Sequence, residues 1–140
     1  MSTLNLDALT AALEQLDKGL READQQPDNE LMRDGVIQRF EYTIDLCWKM
    51  IQRYLKLIQT DEPTIRSKND LFREAARLKI IEDAEPWIMH YAARNETAHD
   101  YNTEKAMQLY LAAKLFFPDA KKLLEMLQNL PEYSPQSFKK

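Results

Sequence analysis

"RDGVIQRFEYTIDLCWKMIQRYL", residues 33–55, is the stretch that decides the fold. Val36, Phe40, Thr43, Cys47, Met50 or Ile51, and Tyr54 recur at steps of three and four, and Ile58 extends the row. That is the period of an α-helix rather than the alternation of a strand. Ile37, Ile44, Trp48 and Leu55 widen the stripe, so this helix must meet more than one neighbour. It is predicted over residues 30–59. Upstream, "QQPDN" (25–29) supplies a proline and two capping residues. Downstream, "TDEPT" (60–64) ends it, because Pro63 has no N–H and restricts Glu62.

The same period appears on both sides. Leu6, Leu9, Leu13, Leu16 and Leu20 predict a first helix over 3–23, capped by Ser2 or Thr3. After the central helix, Ser67 and Asp70 resemble a capping box opening a short helix with Leu71, Phe72, Ala75 and Leu78 on its apolar face. A fourth helix starts near Asp83, with Pro86 in its first turn, and carries Trp87, Ile88 and Tyr91 toward Arg94. The last helix is capped by Asn102 or Thr103, and Ala106, Leu109 or Tyr110, Ala113, Phe116 or Phe117, Ala120, Leu124 and Leu127 keep its period. Pro118 predicts a kink or break near 115–118. The expected fold class is all-α: an antiparallel four-helix up-and-down bundle with a short additional helix, one domain over 1–140, ending in a loose tail over about 129–140.

Composition narrows the function classes. The chain has two glycines in 140 residues, which disfavours a turn-rich β fold. Gly35 reads as a close helix–helix approach. The net charge of −4 and pI near 5.2 exclude extensive non-specific gripping of nucleic acid. Arg33, Arg39, Lys49 and Arg53 read as a solvated face, with a basic rim to a cleft as the second reading. Trp48 and Trp87 read as core or interface anchors. Cys47 is the only cysteine, so no intrachain disulfide forms. No signal peptide and no apolar run near 18 residues is seen, which gives a cytoplasmic expectation.

Metal and cofactor signatures are also missing. His90 and His99 stand nine residues apart, without HxxxH, HExxH or CxxC, and no glycine-rich phosphate loop occurs. No metal or cofactor is therefore expected. The remaining chemistry lies in "RNETAHDY", residues 94–101. On a continuous helix Arg94 and His99 point about 140° apart, while Arg94 and Tyr101 differ by about 20°. Arg94, Thr97 and Tyr101 then share a face, and His99 joins them only if the helix loosens after Thr97. Such a cluster can bind a phosphate: arginine offers a permanent charged fork, histidine exchanges protons near neutral pH, and Asn95 can orient either. An ordinary helix C-terminus also attracts arginine, asparagine and histidine, so spacing alone leaves both readings open.

Arg94-x4-His99-x-Tyr101 resembles the Arg-x4-His-x-Tyr motif of HEPN-domain proteins, particularly the HepT-like toxins. The 33–55 segment resembles the hallmark of the nucleotidyltransferase substrate-binding proteins within that group. So does the order "FEYT…WK", a short helix, "EPWIMHYAARNETAHDYN" and a long final helix. The likeness covers residues 5–128. It implies a HEPN-like homodimer with the motif lining a cleft at the interface, and a partner that is a minimal nucleotidyltransferase (MNT type). It further implies a toxin–antitoxin pair in which this subunit is a metal-independent ribonuclease. Arg94 and His99 are then catalytic, Tyr101 faces a nucleotide or accepts AMP, and Asn95 and Thr97 support them. The alternative within the resemblance is a non-catalytic adaptor that binds substrate or nucleotide for the transferase. Glu96 and Asp100 beside the motif can raise the histidine pKa or oppose RNA. His90 falls outside the motif.

Overall fold

The broad apolar stripe of the central segment becomes a 29-residue helix that touches every other helix of the chain. The computed structural model describes residues 4–58, 65–96 and 103–130. These form α1 (Asp7–Gln25), α2 (Glu30–Ile58), α3 (Lys68–Arg77), α4 (Ala84–Asn95) and α5 (Thr103–Gln128), with no strand among the described residues.

Contacts between named residues fix the directions. Gly19 faces Val36 while Gln15, earlier in α1, meets Arg39, later in α2, so α1 runs antiparallel to α2. Phe40 meets Phe116 edge-on at 5.2 Å, while Arg33 meets Met107. α2 and α5 are therefore parallel. His90 reaches Asp119 and Glu96 reaches Lys105, so α4 is antiparallel to α5. This is the up-and-down bundle the periodicity predicts, formed by α1, α2, α4 and α5, with α3 packed under α2 and α4. The core is continuous from Leu9 and Leu16 through Phe40, Ile44 and Ile51 to Phe72, Trp87 and Phe116.

The starts of α2, α3 and α4 follow the capping expectations, whereas Asn102 at the start of α5 and residues 59–64 after α2 lie outside the described residues. Asn29 Oδ1 accepts from Met32 N–H, Ser67 Oγ from Asp70 N–H, and Asp83 Oδ1 from Glu85 N–H. α1 starts at Asp7, whose N–H is held by Asn5 Oδ1 at 2.9 Å. Leu4 and Leu6 are buried ahead of it, and core burial there sets the boundary later than the predicted residue 3. Ser2 and Thr3 lie outside the described residues. α3 ends in a Schellman arrangement: Ile80 N–H reaches Ala75 O at 2.9 Å and Lys79 N–H reaches Ala76 O at 3.0 Å. The left-handed position this needs is filled by Lys79 (φ 66°) rather than glycine.

Three expectations are corrected. α5 is unbroken through Pro118. Pro118 and Lys114, whose carbonyl loses its helical donor, are both on the exposed face, where that carbonyl need not be buried without a partner. Gly35 is not a close approach, since a Cβ there would meet nothing within 4 Å. The tight glycine is Gly19, where a Cβ would lie 3.0 Å from Arg39 Nη1 and 3.3 Å from Val36 Cγ2. The arginines of α2 are not one solvated face either. Arg33 is buried, and Arg39 Nη1 donates to Gln15 O at 2.8 Å across the α1–α2 seam. Both occupy helical positions next to the apolar stripe.

Candidate functional site

α4 ends where the motif begins. Its last turn places Arg94 and Asn95, with Glu96 as the C-terminal cap. Thr97, His99 and Tyr101 lie outside the described residues. Ala93 packs against Ile37, Ala106 and Leu109, so the end of α4 and the start of α5 are pinned to the same turn of α2. Glu96 and Lys105 pair at 2.7 Å and tie the two ends together.

Arg94 does not hang in solvent. Its Nε and Nη2 donate to the two carboxylate oxygens of Asp45, at 3.3 and 3.1 Å. Both side chains are about one-third exposed. Asp45 also accepts from Trp48 Nε1 at 3.2 Å, and the Trp48 ring carries Lys68 Nζ at 4.0 Å from its centroid. The hydrogen bond to Asp45 raises the Arg94 pKa. Burial opposes this, and the charges of Asp45 and Glu41 add to it. The guanidinium therefore stays charged, with one edge clamped against α2. The two-pronged contact fixes the plane of the guanidinium, the geometry in which arginine also recognises the oxygens of a phosphate. Asn95, on the same turn, is exposed.

Asp45 is the site residue the sequence did not disclose. It lies 49 positions from Arg94, and nothing local marks it. The usable signal was the acidic pair Glu41 and Asp45 at i,i+4 in the middle of α2, whose other two acids, Glu30 and Asp34, lie in its first turns.

The other histidine belongs to the core. His90 is buried, packs edge-on against Trp87 and Phe116, and binds Asp119 Oδ2 through Nε2 at 2.7 Å. A hollow of about 630 Å³ lies at the opposite end of α4, by Asp83, Trp87 and Asp119. Its lining mixes Lys79 and Lys122 with more acids than bases, so it offers an anion little. Among the described residues no group of three His, Cys, Asp or Glu is placed to hold a metal ion, and no helix is long and apolar enough to cross a membrane. The Cys47 thiol is buried, and burial pushes its pKa far up, so it is no nucleophile.

Comparison with known proteins agrees with this architecture. Residues 4–129 match the family described as nucleotidyltransferase substrate binding protein like. The probable ribonuclease HepT of Haemophilus influenzae is 34% identical over 140 residues, spanning 93% of this chain and 96% of its own. A solved Haemophilus influenzae structure, described as the fold of a substrate binding domain of a nucleotidyltransferase, superposes with TM-score 0.82 at 31% identity. That match covers 89% of this chain and 100% of the other. A Thermus thermophilus structure matches with TM-score 0.64 at 26% identity, over 81% of this chain and 99% of its own. With its helical bundle and a family match over nearly its whole length, the chain belongs to the HepT-like nucleotidyltransferase substrate-binding proteins.

Proposed function

We propose that the chain is a metal-independent endoribonuclease subunit, paired with a minimal nucleotidyltransferase in a toxin–antitoxin-like system of the cytoplasm. The observation that carries this is the clamped guanidinium of Arg94 at the end of α4, immediately before the histidine and tyrosine of the motif. In the reaction the 2′-oxygen of a ribose forms a bond to the adjacent phosphorus, and the bond from phosphorus to the 5′-oxygen breaks. His99 accepts the 2′-OH proton, and the 5′-oxygen leaves with a proton from a second histidine, supplied by His99 of another copy in a homodimer. Arg94 neutralises the charge that builds on the phosphorane oxygens. Tyr101 is the AMP acceptor through which the transferase silences the site.

A homodimer is supported by apolar side chains left in water. On α2 they are Leu31 and Tyr42; the rest of its broad stripe is covered within the chain. Most lie elsewhere, with Met107, Leu111 and Leu115 in a row on α5.

The test is cleavage of diverse RNAs by purified protein in EDTA. Cleavage is expected, and His99→Ala and Arg94→Ala should each lower it by roughly 10²–10⁴-fold. Cleavage that needs a divalent cation, or survives both substitutions, refutes the nuclease. An intact dimer inactive on every RNA favours the adaptor, a subunit that presents nucleotide or substrate to the transferase. The acids around Arg94, Glu41 and Asp45, are the feature that suits this second reading.

A further inference from the structure

Arg33 is the only lysine or arginine among the described residues that is buried to about nine-tenths, at 9% exposed. Its Nε has no hydrogen-bond partner among them. Nη1 donates to the sulfur of Met107 at 3.5 Å, a weak acceptor. The carboxylate of Asp34 stands 3.9 Å from Nε, beyond hydrogen-bond reach, and is itself 43% exposed. A guanidinium cannot escape by losing its proton, so burial without a well-placed anion costs the fold several kcal/mol. An uncharged side chain of similar length would fill the same space without that cost.

Its position supplies the reason. Ile37, one turn further along α2, packs on Ala93, Ala106 and Leu109, and Met107 lies in the same turn of α5. Arg33 thus lies on one side of the α4–α5 junction, and Arg94 on the other. Arg94 is anchored at Asp45, twelve residues along α2 from Arg33, which is about 18 Å at the helical rise. One mononucleotide is too short to engage both cations, whereas a strand spans them.

We propose that Arg33 is a second anion-binding position of this site, which takes a backbone phosphate of an RNA strand that also crosses Arg94. The proposal rests on the nuclease reading. The phosphate displaces the Met107 sulfur as acceptor at Nη1 and gives the buried charge a closer anion than the carboxylate of Asp34.

The test uses full-length protein carrying His99→Ala, so that the strand survives, with binding of a short labelled oligoribonucleotide followed by anisotropy over a range of salt. Adding Arg33→Met or Arg33→Gln should weaken binding about tenfold, the loss of one charge-assisted contact. The log–log salt slope should become shallower by about 0.7, the value of one phosphate on a single strand. Thermal stability should hold or rise, because a buried charge whose nearest carboxylate is beyond hydrogen-bond reach has gone. Inorganic phosphate and AMP should bind these variants and their parent alike. Unchanged RNA affinity in both variants, or a fall in stability with unchanged affinity, overturns the proposal and leaves the nuclease intact. A tenfold loss of AMP affinity also overturns the strand, because Arg33 then serves a mononucleotide. No RNA binding by the His99→Ala protein overturns both.

Discussion

Asp45→Asn separates the two things that Asp45 does to Arg94. The carboxylate fixes one edge of the guanidinium, and its charge offsets the arginine's. Asparagine keeps the shape and one acceptor oxygen but removes the charge and the two-pronged grip. The bare Coulomb attraction at this separation is about 4 kcal/mol at an effective dielectric near 20. With both side chains about 30% exposed, solvent screening and desolvation take most of it, and about 1 kcal/mol of stability is expected to be lost. That lowers the thermal midpoint by only about 3–5 °C. The effect on reaction is larger, because a displacement of about 1 Å in a group that meets the transition state can cost about 10²-fold. We therefore expect kcat for RNA cleavage to fall by roughly 10–100-fold, with KM unchanged or lower, since the site becomes more positive by one charge. Trp48→Phe removes the Nε1 donor on Asp45 and shrinks the ring under Lys68 while leaving the Asp45 carboxylate in place, and should give a smaller loss in the same sense. The assay is single-turnover cleavage across RNA concentrations, with the melting curve measured on the same samples. If Asp45→Asn cleaves as fast as the parent or faster, Asp45 only masks the cation, and the clamp has no positioning role.

Two further outcomes follow. Incubation with the partner transferase, ATP and Mg²⁺ should add AMP to Tyr101, visible by intact-mass and peptide mass spectrometry and abolished in Tyr101→Phe; modification elsewhere, with an active transferase, removes Tyr101 from the mechanism. At the other end of the scale of pH, the Tyr110 hydroxyl donates to Asp24 at 2.6 Å, and burial, then Asp24, push its pKa up to about 12. A folded pKa above the unfolded value near 10 means that this contribution is complete below about pH 10 and is lost as pH rises through about 12. The stability difference between parent and Tyr110→Phe, from urea melts, should be about 1 kcal/mol at neutral pH and shrink across that window; a gap that stays constant refutes the coupling.

The fold was legible because helical periodicity is local and repeated. The rows around Phe40 and Phe116 carry enough burial to override single exceptions, and Pro118 shows it: the apolar row runs on through Ala120, Leu124 and Leu127, so the helix does too. Gly35 was wrongly read as a close approach, because a glycine's environment is set by crossing geometry rather than by sequence. Gly19 meets Arg39 and Val36, while Gly35 meets nothing. The site was half legible. Arg94 carries a motif within eight residues, but its partner Asp45 belongs to another helix. Arg33 was readable in principle, since it lies three and four residues before Val36 and Ile37. Charge argued for solvent, position argued for the core, and position prevailed.

That outcome bears on how an acidic chain could engage RNA at all. With a net charge of −4, its long-range field does not draw a polyanion in. Around the junction the cations are mostly answered already: Arg94 by Asp45, Lys105 by Glu96. On the proposed reading attraction comes at short range, from the partly exposed Arg94 and from Arg33, whose burial strengthens each contact it makes. Such binding neutralises few phosphates, so its salt dependence is shallow, on the order of 0.7 per phosphate engaged. A protein that binds this way cannot coat arbitrary RNA. It favours strands whose backbone follows the line from Arg33 to Arg94, and selectivity then comes from the geometry of α2, which positions both cations, more than from the charge of the surface.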